Sequence, residues 1–130
     1  AKQFADRDFR ETFLKRSYHD PSIVTDKVMD RVMLGSQTED YISGMSSMLS
    51  KSYDANEAEL MNKVKLPTLI VFGIEDRNKS MAEAMQLKNG FRNSRLEIIQ
   101  NAGHYVHEES PTSVSQIMIK SVKFLTGKDE

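Results

Sequence analysis

The chain has 130 residues, 38% hydrophobic and 28% charged, with a formal net charge of −1, a profile of one soluble domain with a thin core. Near-neutral charge without clustered Lys and Arg excludes a nucleic-acid footprint. The absence of cysteine excludes disulfide scaffolds, thiolate metal sites and a cysteine nucleophile within these residues. No apolar run approaches a membrane span and no signal peptide opens the chain, so a cytoplasmic protein without a membrane partner is expected.

The chain begins at Ala1 rather than Met, and Phe4, Ala5, Phe9, Phe13 and Leu14 form a helical stripe almost at once. Such a start reads as truncation inside or just before an element, with simple removal of Met as the alternative. Asp20-Pro21 then gives an N-cap followed by proline at the first helical position. Ile23, Val24, Val28, Val32 and Met33 mark one face, and Gly35 is placed to stop that helix. Ser36 with Glu39 makes a capping-box pattern ahead of Tyr41, Ile42, Met45, Met48 and Leu49. Asn56 with Glu59 predicts a short helix through Leu60, Met61 and Val64. Met29, Met33, Met45, Met48 and Met61 crowd this half; gap-filling core is the simpler reading, an adaptable apolar pocket lining the sharper one.

The pattern changes at Leu66-Pro67. Thr68-Leu69-Ile70-Val71-Phe72, closed by Gly73, is a continuous apolar run suited to a strand buried on both faces. Ser80 and Glu83 form another capping box, opening a helix through Met81, Ala84, Met85 and Leu87 to Gly90. Arg95 to Gln100 alternates like a second strand, and Asn101 to Ser110 reads as loop. Pro111 opens a last helix with Val114, Ile117, Met118, Ser121, Val122 and Leu125 inward, and Gly127 closes it. The expectation is an α/β fold: a helical segment over 1–65, a parallel βαβα unit with right-handed crossovers over 66–127, and a tail over 128–130.

In open parallel sheets functional groups gather past the carboxyl ends of strands. Asp76 lies just past the first strand and His104 just past the second. Adjacent strands would bring both to one rim, where a carboxylate fixes the imidazole tautomer and supports the imidazolium as it forms. Histidine suits that work because its ordinary pKa lies near neutrality. Each residue also has a plainer reading, Asp76 as a turn or helix-entry carboxylate and His104 as a surface histidine. Their matched positions favour catalysis. A metal reading of the stretch His104-Tyr105-Val106-His107-Glu108 fails because its two histidines lie in a loop rather than at helical spacing, and the remaining histidine is the distant His19. His19 reads as a surface residue between helices, and no metal or cofactor is expected.

Pro67 to Gly73, then Asp76, then Asn101-Ala102-Gly103-His104 with Glu109 and Pro111, resembles the closing stretch of the α/β-hydrolase family. In that family a strand ending in Gly-x-x-Asp supplies the triad acid, and Gly-His after the final strand supplies the base. The resemblance implies those roles for Asp76 and His104, a structural role for Glu109, and a cap or lid in the helices before Pro67. Tyr105 and Val106 would line the pocket mouth. The family's nucleophile belongs on an upstream Gly-x-Ser-x-Gly elbow. Gly44-Met45-Ser46-Ser47-Met48 is the nearest text here, and it lacks the second glycine and follows no strand. Neither nucleophile nor oxyanion loop is therefore expected in this chain, which alone would be inactive.

The resemblance implies a hydrolase of small ester-like substrates when the protein is whole. An Asp nucleophile, as in haloalkane dehalogenases and epoxide hydrolases, would use the same His and acid. The rival from another class is a non-catalytic ligand-binding or interaction module on this fold. Two strands with an exposed edge make a poor independent domain. Homo-oligomerisation, or association with the missing N-terminal half, is therefore expected.

Overall fold

The structure is a computed structural model that describes residues 2–51 and 56–127; the tail expected at 128–130 lies outside them. The chain forms two compact units, one of residues 1–16 and 21–55, the other of 17–20 and 56–130.

The first unit is helical, with α1 (Arg7–Ser17) running into the second unit at its last residue, α2 (Asp26–Leu34) and α3 (Tyr41–Ser50). Asp6 caps α1 by accepting from the Phe9 amide at 2.8 Å. Phe4 meets Phe9 and Phe13 edge-on at 5.4 and 6.2 Å. The Arg7 guanidinium spans Asp26 and Asp30, one turn apart on α2, at 3.1 and 2.9 Å. These carboxylates raise the Arg7 pKa further above its ordinary value.

Two expected helix boundaries differ here. Asp20-Pro21 opens only a 3-10 turn, Pro21–Ile23. The helix starts later because Thr25 is extended and its hydroxyl accepts from the Val28 amide. Ser36 does not act as a cap, since its hydroxyl donates back to the Met33 carbonyl at 2.7 Å. Gly35 has ordinary helical angles and continues into a 3-10 turn; Asp40, at φ 61°, makes the reversal before α3. Met29 is fully buried, whereas Met48 is exposed, so the methionines do not form one core.

The second unit follows the expected order: α4 (Glu57–Lys63), β1 (Thr68–Gly73), α5 (Met81–Gly90), β2 (Ser94–Ile99), α6 (Val106–Glu109) and α7 (Pro111–Thr126). α6 occupies part of the stretch expected to be loop, a single turn begun past His104. β1 and β2 pair in parallel from Thr68↔Ser94 to Gly73↔Ile99. Alternation sends Val71 and Ile99 to one face, where they pack with Ala102, Val106, Val114 and Ile117. Phe72 faces the other way, towards Ala84 of α5. β1 is fully buried only at Phe72 and Gly73, because β2 is the one strand paired with it among the described residues.

On α7, Met118 and Val122 are exposed rather than inward. Phe124 is half-buried instead and carries the Arg95 guanidinium 4.1 Å above its ring. Gly127, at φ 64°, ends that helix as a left-handed cap. No helix among the described residues is long and apolar enough to cross a membrane.

Candidate active site

The loops leaving β1 and β2 stay bonded beyond the last strand pair. Ile74 donates to the Ile99 carbonyl at 3.0 Å and Glu75 to the Ala102 carbonyl at 3.1 Å. The Glu75 carboxylate accepts in return from the Ala102 amide at 3.0 Å. Gly73 permits this approach, because a Cβ there would collide with the carbonyl oxygens of Ala102 and Gly103. Gly103 is equally constrained: a Cβ would lie 2.6 Å from the Ser17 carbonyl oxygen and 2.8 Å from the His19 nitrogen. The glycines of Gly-x-x-Asp and Gly-His are thus packing requirements that set two polar loops in contact.

Across this seam Asp76 Oδ2 lies 2.8 Å from His104 Nδ1. The Asp76 side chain is 4% exposed and that of His104 38%. Asp76 Oδ1 accepts from the amides of Asn78 at 2.7 Å and Lys79 at 3.0 Å. One oxygen is therefore fixed by the backbone and the other is aimed at the ring. A carboxylate opposite Nδ1 selects the tautomer with its proton there, which leaves Nε2 as an acceptor. Among the described residues Nε2 meets no hydrogen-bond partner. Buried acid, oriented imidazole and an unoccupied basic nitrogen are the parts of a general base.

The short segment 17–20 supports the histidine loop from outside. Ser17 is buried, and its carbonyl accepts from the His104 amide at 2.8 Å. The Glu109 carboxylate gathers three backbone donors: His19 at 2.7 Å, Asp20 at 3.0 Å and Gly103 at 2.5 Å. Tyr18 is buried, stacks on Tyr105 at 4.9 Å and donates its hydroxyl to Glu108 at 2.5 Å. Burial, helped by that carboxylate, pushes the Tyr18 phenol well above its ordinary pKa.

Asp76 and His104 are thus brought together as expected, with Glu109 bracing the loop. Val106 lies in the core rather than at a pocket mouth, because α6 turns it inward. His107 is exposed and faces Glu108 at 3.7 Å. His19 is half-buried rather than a plain surface residue. Ser46 lies within α3, with no strand before it. Among the described residues no three His, Cys, Asp or Glu side chains gather as a metal site. Ser17, Tyr18 and Asn78 were not legible as site residues, since only their distant partners give them a role.

No family model matches the chain. It is 28% identical over 105 residues to an uncharacterized hydrolase, YugF, of Bacillus subtilis, covering 81% of this chain and 38% of that protein. It is 33% identical over 61 residues to monoacylglycerol lipase ABHD6 of Mus musculus, covering 47% of this chain and 18% of that protein. Among solved structures, a meta-cleavage product hydrolase from Pseudomonas fluorescens IP01 superposes with a TM-score of 0.78 at 18% identity, covering 95% of this chain and 47% of that one. A putative lipase from Acinetobacter baumannii AYE does so with a TM-score of 0.71 at 21% identity, over 98% and 46%. The chain spans less than half the length of these proteins.

Proposed function

The chain belongs to the α/β-hydrolase superfamily and forms the C-terminal portion of its fold, and from that premise we propose that Asp76 and His104 are the acid and base of a hydrolytic triad. The observation that carries the reading is the 2.8 Å approach of Asp76 Oδ2 to His104 Nδ1 with the carboxylate buried. The nucleophile lies upstream of Ala1 in the whole protein, so these 130 residues alone turn nothing over. The substrate is a small, partly apolar ester, in keeping with a relative named as a monoacylglycerol lipase.

In this mechanism His104 Nε2 takes the proton of the attacking hydroxyl and returns it to the leaving group. Asp76 Oδ2 accepts a hydrogen bond from Nδ1–H throughout, and its charge stabilises the imidazolium between those steps. The Asn78 and Lys79 amides on Oδ1 keep the carboxylate from turning away. If the nucleophile is a carboxylate rather than a hydroxyl, the same nitrogen activates the water that attacks the covalent ester. The edge of β1 that pairs with no strand among the described residues takes a strand from the upstream half in the whole protein, and from a second copy when the 130-residue chain stands alone.

The test is turnover of p-nitrophenyl butyrate and a monoacylglycerol by the full-length protein. His104→Ala should remove most turnover, and Asp76→Asn should lower kcat by roughly 10³–10⁴-fold. Both variants should keep the wild-type circular dichroism spectrum. Full activity in either one means that the catalytic base lies elsewhere.

A further inference from the structure

The contacts around the acid and the histidine close into a ring through two residues with no role in the proton transfer. Asp76 Oδ1 accepts from the Asn78 amide at 2.7 Å. The Asn78 side-chain amide donates to Ser17 Oγ at 2.8 Å. The Ser17 carbonyl accepts from the His104 amide at 2.8 Å. His104 Nδ1 returns to Asp76 Oδ2 at 2.8 Å. Ser17 is 1% exposed. Its hydroxyl therefore meets Asn78 out of water, where such a bond is stronger and more costly to lose.

We infer that Ser17 and Asn78 form a positioning pair that sets the distance between the acid loop and the histidine loop. Asp76 and His104 sit on separate loops, whose direct ties across the seam, Ile74 to Ile99 and Glu75 to Ala102, end before either residue. Their backbone ties, Asn78 to Asp76 and Ser17 to His104, fix each group relative to its own support. The Asn78–Ser17 bond alone joins those two supports within the ring. With the bond gone, the seam bonds of Ile74 and Glu75 keep both loops folded, but the Nδ1–Oδ2 approach loses the restraint on its far side. Misplacement of a reacting group by about an ångström can cost on the order of a hundredfold in rate. The inference rests on the catalytic reading of Asp76 and His104, although the geometry it concerns can be read without turnover.

The test uses Asn78→Ala, Ser17→Ala and the double variant of the full-length protein, with His104→Ala and Asp76→Asn as references. Each single variant should lower kcat for p-nitrophenyl butyrate by about tenfold to a hundredfold with KM within about twofold. The double variant should be no slower than the slower single one, since one bond is lost in all three. In proton NMR the His104 Nδ1–H resonance should move upfield and exchange faster with water in each, with the melting temperature within a few degrees of wild type. Unchanged kcat and an unmoved resonance in Asn78→Ala, beside an inactive His104→Ala, would overturn the positioning role and leave the triad standing. If His104→Ala and Asp76→Asn stay active, the catalytic reading fails. The resonance in Asn78→Ala then decides the pair by itself, moved for it and unmoved against it. Should Ser17→Ala not fold, Asn78→Ala on its half-buried loop decides the pair in the same way.

Discussion

The Tyr18 hydroxyl donates to Glu108 at 2.5 Å across 90 residues of sequence, while its ring stacks on Tyr105, next to the site histidine. Tyr18→Phe keeps the stack and removes the bond. Because Glu108 is exposed, the cost should be modest, about 1 kcal/mol by urea melts at neutral pH. The folded phenol has a raised pKa, so its contribution is complete below pH 10.0, the ordinary value, and is lost as the pH climbs beyond it. Wild type should therefore weaken in alkali more steeply than Tyr18→Phe, and the phenolate absorbance that this substitution removes should appear only above the ordinary tyrosine range. Equal alkaline slopes would show that the phenol does not contribute.

Gly103→Ala should destabilise the second unit by about 1–3 kcal/mol, because the added methyl meets backbone rather than a flexible side chain. It should also disturb His104, the next residue. Gly44→Ala is the control, since nothing lies near a Cβ there, and a helical alanine should raise stability slightly. Thermal melts of both variants settle the comparison; a neutral Gly103→Ala would mean that the 17–20 segment gives way freely.

The capping box of α5 carries its own pH dependence. Hydrogen bonds from the Ser80 amide and hydroxyl, with Lys79 at 2.9 Å, lower the Glu83 pKa to about 2. A depressed carboxylate stabilises the fold above its ordinary value of 4.5, and that support fades as the pH falls from there through about 2. Protection of the Ser80 amide, its exchange rate corrected for the intrinsic rate at each pH, should fall as the pH drops through that window in wild type. Glu83→Gln should show a pH-independent protection, and a wild-type protection profile in the variant would remove Glu83 as the titrating group.

The 130-residue species should be a dimer or larger assembly in light scattering, and a charged substitution on the edge strand, Ile70→Lys, should shift it towards monomer or unfolded chain. A monodisperse, cooperatively unfolding monomer would refute the shared-edge reading.

The second unit was largely legible in the sequence because its signals are local. Ser80 and Glu83 cap a helix within one turn, and an apolar run between Pro67 and Gly73 has few conformations to choose from. The approach of Asp76 to His104 was expected on the condition that the two strands lie side by side, as they do. The first unit was less legible where two local signals competed: Asp20-Pro21 against Thr25, and Ser36 as a cap against Ser36 bonding its own helix. Ser17 and Tyr18 could not be placed at all. A buried serine and tyrosine near a helix end carry no period, and their partners lie far along the chain. Met118 and Val122 fit the helical stripe of α7, yet the two-stranded sheet is too narrow to cover them.

The four residues Ser17–Asp20 have a consequence for dissecting the protein. They belong with the βαβα unit, while their chain neighbours on both sides belong to the helical one. A shortened chain begun at Asn56 would look complete, with both strands and every later helix. It would nevertheless lack the carbonyl that receives the His104 amide and two of the three donors that hold Glu109. Adding Ser17–Asp20 back as a free tetrapeptide would face the entropy of bringing a separate molecule to the loop. The natural chain meets that requirement by tethering the four residues at both ends, so the helical unit serves as their anchor whatever else it does.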